Sequence, residues 1–564
     1  MSDDDLTHLA EVEALLLAGR VGQAVGVLRA MVAERPDLAA AQELLGAALE
    51  QAGDRVGAQQ ALRAALAAEP GRARAATRLA ALLTATFRAA EAIEILRPSA
   101  ETSDDVRLLM VYGAALKSDG RADEAVIYYE RARQALPMSA EAEHNLAGAL
   151  GDAHRFDESL RVVGRAFDKG LDAPETWLVQ GRALMGLGRF DEAEDAFREA
   201  IRRRPNYPDA HAELGQLIWM RTQDVAAASE ALDEALRTRD DTPLTLVKAR
   251  LLEYAVGEEA GYEAVRGLAG ERALDPAVQT AAARLSLSID PEVALLHAQK
   301  AVAAAPNSAP ALSALAQANL ALGRADVAAE IADGLRLAWP NDQQPLAILA
   351  VAWRILGDPR YRKLYDYQRL VQPYALETPT GWATLEAYLT DLAESLTRLQ
   401  RLNGHPVGQS LRQGAQTNQM LTRSEEPSIR AFFVAIDAPI RAYIDVLAKR
   451  QDDLGRRVTS GYRFTGAWSV RLQPGGRHVD HIHQLGWISS AFYVQLPPAV
   501  DHGHQGWLKF GEPGMPTRPA LEPEHHVKPK AGTLVLFPSY MWHGTVPFGG
   551  REPRLTIAFD AVPA

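Results

Sequence analysis

A 34-residue period runs through the first two thirds of this 564-residue sequence. A Gly-Arg turn or its equivalent, followed by a small–acidic–Ala run, recurs along the chain. GRADEA places Arg121, HRFDES places Arg155 and GRFDEA places Arg189, at intervals of 34. Arg20, Arg55 and Arg88 continue the series upstream, and Arg324 and Gly357 continue it downstream. Prolines mark the other end of each unit, as from Pro36 to Pro70 and from Pro306 to Pro340. A period of this length belongs to helix–turn–helix units that stack because none can bury its apolar face alone. In one unit Gly181 and Ala193 are small where paired helices approach, and Trp177 and Phe197 are large enough to fill the space between neighbouring units. Pro205 ends the second helix, since it has no N–H to donate.

The marks Trp177, Gly181, Ala193, Phe197, Ala200 and Pro205 resemble those of the tetratricopeptide repeat, with about nine or ten copies expected over residues 4–360. The phase slips between Thr238 and Asp290, where one irregular repeat is expected. Stacked arrays present a concave face suited to an extended peptide or another protein, which is the partner expected here. The bland alternative is that the array serves only to pair two copies of the chain as a homodimer.

Net charge is −12 and no block of five or more Lys/Arg occurs, which argues against nucleic-acid or anionic-lipid partners. The sequence lacks a basic-then-apolar start and any run of about 18 apolar residues, so no signal peptide or membrane span is expected and the cytoplasm is the expected location. There are no cysteines, which excludes disulfide frameworks, Cys-ligated metals and thiol nucleophiles.

Three segments are expected: a solenoid over residues 1–360, a helical and loop segment over 361–460, and an all-β core over 461–564. In the middle segment, YRKLYDYQRLVQPY reads as the end of the solenoid docking on something. Residues 404–420, with Arg412 and Gln416, read as a loop or short strands over a site. Apolar residues from Ile429 to Leu447 recur at helical spacing, with a kink expected at Pro439. The last segment has strand-like runs at Gly466–Leu472, Ile488–Leu496, Gly506–Phe510, Gly532–Phe537 and Leu555–Ala561. Several short strands without a helical period predict a barrel or jelly roll.

Of 14 histidines, eight fall between His478 and His543. RHVDHIHQLGWISSAFYV holds His478, Asp480, His481 and His483, while His543 is followed 11 residues later by Arg554. Imidazole and carboxylate suit divalent iron, and a facial set of three leaves positions open. An H-x-H or H-x-D pair can chelate one metal from one strand, and His543 can complete the set from another. Arg554 offers a bidentate cation for a carboxylate, with Thr556 on the same face. A surface ion pair of Arg554 with Glu552 or Asp560 is the competing reading. His502, His504, His525 and His526 read as surface-loop residues, and Trp468, Trp487, Tyr493 and Trp507 as barrel core, with Tyr493 the one that could instead face the metal.

The runs His481–Val494, Gly532–Phe548 and Arg554–Phe559 resemble bacterial 2-oxoglutarate/Fe(II) oxygenase domains, some of which are fused to tetratricopeptide repeats. The resemblance implies a double-stranded β-helix, Fe(II), 2-oxoglutarate and dioxygen. It also implies hydroxylation and no catalytic residue beyond the metal ligands, and the fusion of an extended binding surface to such a site makes a protein or peptide side chain the expected substrate. His481, His483 and His543 are the expected ligands, with His478 and Asp480 as the competing first pair. Arg554, Thr556 and Tyr493 are the expected cosubstrate contacts. The alternative is a non-catalytic repeat scaffold with a metal-stabilised or degenerate barrel.

Overall fold

A computed structural model describes residues 3–564 except Phe87, Arg239 and Asn403. Met1 and Ser2, at the head of the expected solenoid, lie outside the described residues. The chain forms two compact units, Met1–Leu187 and Gly188–Ala564.

The first unit is a run of helical hairpins, from Asp3–Leu17 with Val21–Glu34 to Ala140–Asp152 with Phe156–Asp168, closed by the helix Pro174–Gly186. Its interior is Ala and Leu, including Leu28, Ala58, Leu79 and Leu116. A Cβ on Gly113 would meet the Tyr129 ring at 2.9 Å, which is why a helix-weakening residue sits there. Trp177 packs on Phe167 of the preceding hairpin with ring centroids 4.7 Å apart, the between-repeat filling expected of it.

The second unit opens with the helix Phe190–Arg203 and continues through four hairpins to the helix Gln344–Leu356. The repeat expected to be irregular is regular. Helices begin at Pro208, Thr242, Pro276, Ala309 and Gln344, with a proline in the first turn of each. The phase is carried by those prolines, which suit a position where no N–H is needed. The Gly-Arg turns drift because Gln223 replaces one glycine in the left-handed region, at φ 56°. No described helix is long and apolar enough to cross a membrane.

Among the described residues nine strands follow: β1 (Gln372–Ala375), β2 (Leu411–Gln416), β3 (Tyr462–His478), β4 (Ile488–Gln495), β5 (Leu508–Phe510), β6 (His525–Val527), β7 (Thr533–Pro538), β8 (His543–Thr545) and β9 (Arg554–Pro563). They form a six-stranded sheet, β1-β7-β4-β9-β3-β2, and a three-stranded sheet, β6-β5-β8, with every pairing antiparallel. This is the α-solenoid followed by a two-sheet β domain with flanking helices that the sequence predicts. Phe510 of the small sheet meets Phe537 of the large one at 5.1 Å.

The strand period of two sorts β9. Ile557 and Phe559 join Phe492, Leu534 and Leu536 in a core roofed by Tyr388, Leu392, Phe432 and Tyr443 of the helices Leu385–Leu399, Pro427–Ala435 and Asp437–Leu447. The alternate residues Arg554, Thr556, Ala558 and Asp560 line a cavity on the other face. The kink expected at Pro439 falls at Ile436 instead, because the proline ring is incompatible with the carbonyl four residues earlier, at Ala435.

The solenoid's last helix docks on the β domain. Trp542 Nε1 donates to Ala347 O at 3.2 Å, and Arg354 donates to Gly511 O and Glu522 O, both at 2.9 Å. The tyrosine-rich run completes the joint. Tyr365 Oη accepts from Trp542 N at 3.0 Å and donates to Tyr540 O at 3.2 Å.

Candidate metal centre

His481, His483 and His543 come together, one ring nitrogen from each lying within 4.8 Å of the others. Backbone bonds set the approach. β3 ends at His478, and His481 then exchanges two bonds with His543: His481 N donates to His543 O at 2.9 Å and His543 N to His481 O at 3.1 Å. His483 N donates to Ser539 O at 3.0 Å. A regular continuation of β3 is not what presents the pair.

Each ring is aimed through its Nδ1. His481 Nδ1 donates to Val479 O at 2.8 Å, His543 Nδ1 to Met541 O at 2.8 Å, and His483 Nδ1 to Asp560 Oδ2 at 2.5 Å. Acceptors at all three Nδ1 fix the proton there and leave Nε2 as a lone-pair donor. The Nε2 atoms of His481 and His483 face each other at 3.2 Å. Two acceptors so placed repel unless a cation lies among them, so the donor set fits a divalent metal. Burial, then the neighbouring His483, pushes His481 down to about 3, and burial likewise holds His543 well below the ordinary imidazole range. His481 and His543 therefore stay neutral at neutral pH, as ligands must.

The competing pair is not part of this cluster, although the His478 ring stacks on His481 with centroids 5.8 Å apart. Asp480 Oδ2 accepts from Lys509 Nζ at 2.9 Å, and His478 Nδ1 lies 2.9 Å from Ser410 Oγ. Ser410 Oγ is also 3.2 Å from His481 Nε2.

Arg554 is 2% exposed, and burial lowers its affinity for its proton. Among the described residues no carboxylate pairs with it. Glu552 is exposed, and Asp560 is engaged by His483 and, at 2.7 Å, by Ser489 Oγ. The surface ion pair weighed above is thus absent. The guanidinium lies 5.1 Å from the Tyr493 ring centre. Among the described residues Arg554 Nε and Tyr493 Oη are both buried without a hydrogen-bond partner. Burial pushes the Tyr493 hydroxyl up, with the Arg554 charge opposing it. Thr556 is buried and stands directly opposite Tyr493 across β4 and β9. A buried cation beside unpartnered donors is costly in isolation and fits a bound carboxylate.

The three histidines, Arg554 and Thr556 share a cavity of about 1220 Å³, with Tyr493 packed in the core behind it. Its wall includes the histidines, Arg554, Thr556, Arg412 and Gln416 from the β domain, and Trp219, Tyr254, Arg284 and Gln344 from the repeats. Trp468, expected in the core, lines this wall and stacks on His483 at 6.0 Å and 14°. Trp487 is fully buried as expected. His502 and His504 are exposed, whereas His525 and His526 form part of β6. Sequence reasoning missed Asp560, Ser489 and Ser410. Strand alternation puts Asp560 on the face of Arg554 and Thr556, but the sheet register that brings it to His483 and Ser489 is set only in the fold.

Comparisons with known proteins agree with this layout. Residues 466–560 match the family model described as "Putative 2OG-Fe(II) oxygenase", and residues 144–208 and 178–243 match a tetratricopeptide repeat model. Over 103 residues, 18% of this chain, the sequence is 27% identical to an Hsp70-Hsp90 organising protein of Plasmodium falciparum. The match spans 41% of that relative's length. Similar solved structures include pilF of Pseudomonas aeruginosa, 17% identical, covering 36% of this chain and 93% of that one with a TM-score of 0.32. A tetratricopeptide repeat protein of Parabacteroides merdae is 15% identical, covering 43% and 95% with a TM-score of 0.34. The chain thus carries a tetratricopeptide-repeat region and a domain similar to the 2OG-Fe(II) oxygenases.

Proposed function

We propose that the chain is a 2-oxoglutarate- and Fe(II)-dependent dioxygenase that hydroxylates a protein or peptide side chain held by its repeats. The observation that carries this is one cavity containing three oriented imidazoles and a buried arginine with no carboxylate. In this reading His481, His483 and His543 hold Fe(II), which supplies dioxygen activation coupled to decarboxylation of 2-oxoglutarate to succinate. Arg554 receives the far carboxylate of 2-oxoglutarate in its guanidinium fork, and Thr556 and Tyr493 add hydroxyl donors. Asp560 holds the His483 proton on Nδ1 and so keeps Nε2 available. Buried Phe537 and Leu508 line the same cavity and limit water. Repeat residues in the wall support delivery of a peptide from the array to the histidines. Segment boundaries at 1–360, 361–460 and 461–564 suit this division of labour, with the middle segment adding β1 and β2 to the sheet of the last.

The test is succinate formation from 2-oxoglutarate by the full chain with Fe(II) in air, with and without peptides. Fe(II)-dependent succinate that disappears in His543→Ala supports the proposal. Its absence under every condition favours a non-catalytic scaffold.

A further inference from the structure

We infer that the cavity carries a subsite for an anionic side chain, built on Arg412 and Arg477, so that the captured peptide bears an acidic residue near the side chain that reaches the histidines. This rests on the oxygenase reading and narrows its substrate class.

Arg412 of β2 and Arg477 of β3 stand directly opposite each other across the strand pair, and both line the cavity. Like charges in that register are unfavourable, so the pair needs an external reason. Among the described residues neither forms an ion pair. Arg412 is fixed all the same: its Nη1 donates to Gln409 O at 2.8 Å and to Leu411 O at 2.9 Å, and its guanidinium lies 5.3 Å from the Tyr254 ring centre. Among the described residues its Nε and Nη2 have no hydrogen-bond partner. A stacked guanidinium with one edge anchored and the other free is arranged for an oxyanion in its plane.

Local acids do not fill that role. Glu253 is gripped by both terminal nitrogens of Arg284, one contact being 2.7 Å, and Glu258 is exposed. Burial also makes Arg412 a weaker base than usual, the mark of a cation short of compensation. Tyr254 belongs to the repeat helix Thr242–Ala255, so the subsite is assembled from repeat and β domain together. A peptide lying along the repeats meets it on the way to the histidines. A carboxylate and a phosphate satisfy the same geometry.

The test uses fluorescein-labelled pools of short peptides, randomised except for a central residue that is Asp/Glu, Asn/Gln or phosphoserine. Binding to the full chain is read by anisotropy, without iron or turnover. The expected result is at least about fivefold tighter binding of the Asp/Glu or phosphoserine pool than of the Asn/Gln pool at low salt. The better of the two anionic pools identifies the source. Arg477→Gln, at an exposed position, should reduce the preference, and R412Q/R477Q should remove it. Equal anisotropy across the pools, whether all bind or none does, overturns the inference, as does a preference that survives the double substitution. Charge-selective binding without succinate formation would break the oxygenase reading and leave the subsite standing. Succinate formation without charge preference would do the reverse.

Discussion

His483 Nδ1 donates to Asp560 Oδ2 across 2.5 Å, joining the segment after β3 to the middle of β9. The other oxygen of Asp560 accepts from Ser489 Oγ at 2.7 Å, and Ser489 meets Ser539 at 2.8 Å. The candidate centre is all-imidazole, yet a carboxylate stands one bond behind it. It supplies negative charge and ring orientation without occupying a ligand position.

Asp560→Asn tests that role. The neutral amide oxygen accepts more weakly and brings no negative charge, so metal affinity should fall about 10–100-fold. Titration of the full chain with Mn(II) measures it, and an unchanged affinity would show that the backbone alone aims His483.

Arg554→Lys should weaken 2-oxoglutarate binding by roughly 1–3 kcal/mol, the scale of a charge-assisted bond lost from the fork. Metal affinity should barely move. If cosubstrate affinity is unaffected, another residue holds the diacid.

The two candidate first pairs can be separated by substitution. His481→Ala should abolish metal binding, and replacing His478 and Asp480 together should leave it in place. The opposite pattern would transfer the site to the competing pair.

Stability of the metal-free protein should fall as the medium is acidified. His481 is neutral in the fold down to about pH 3, against 6.5 unperturbed, so the unfolded chain takes up the proton first. Its contribution is present above 6.5 and lost progressively as pH falls from there toward 3. In EDTA, the Tm of His481→Ala should decline less steeply over this window than that of the parent. Parallel slopes would contradict the assignment.

Trp542→Ala should cost about 3–5 kcal/mol, the range for a buried tryptophan, because Trp542 packs among Ala316, Leu320 and Ala347 of the last repeats. Chemical denaturation provides the measurement. A loss under 1 kcal/mol would mean that the joint between repeats and β domain relies on other contacts.

The repeats were legible because proline and small residues must recur wherever one hairpin packs on the next. The long strands β3, β4, β7 and β9 were legible from β-branched and aromatic runs. By contrast β6 and β8 have three residues each, too few to show a period, and β1 and β2 lie on sheet edges in polar sequence. The histidines and Arg554 could be chosen from spacing, but their Nδ1 partners could not. Val479 and Met541 contribute backbone carbonyls, which no side chain announces, and Asp560 contributes through a register that only the folded sheet fixes.

The most direct measurement is equilibrium dialysis of labelled 2-oxoglutarate against the full chain under anaerobic conditions, with and without Fe(II). The account predicts one equivalent bound only when Fe(II) is present, weaker binding in Arg554→Lys and none in His543→Ala. Absence of binding, or binding that ignores both the metal and His543, would contradict it.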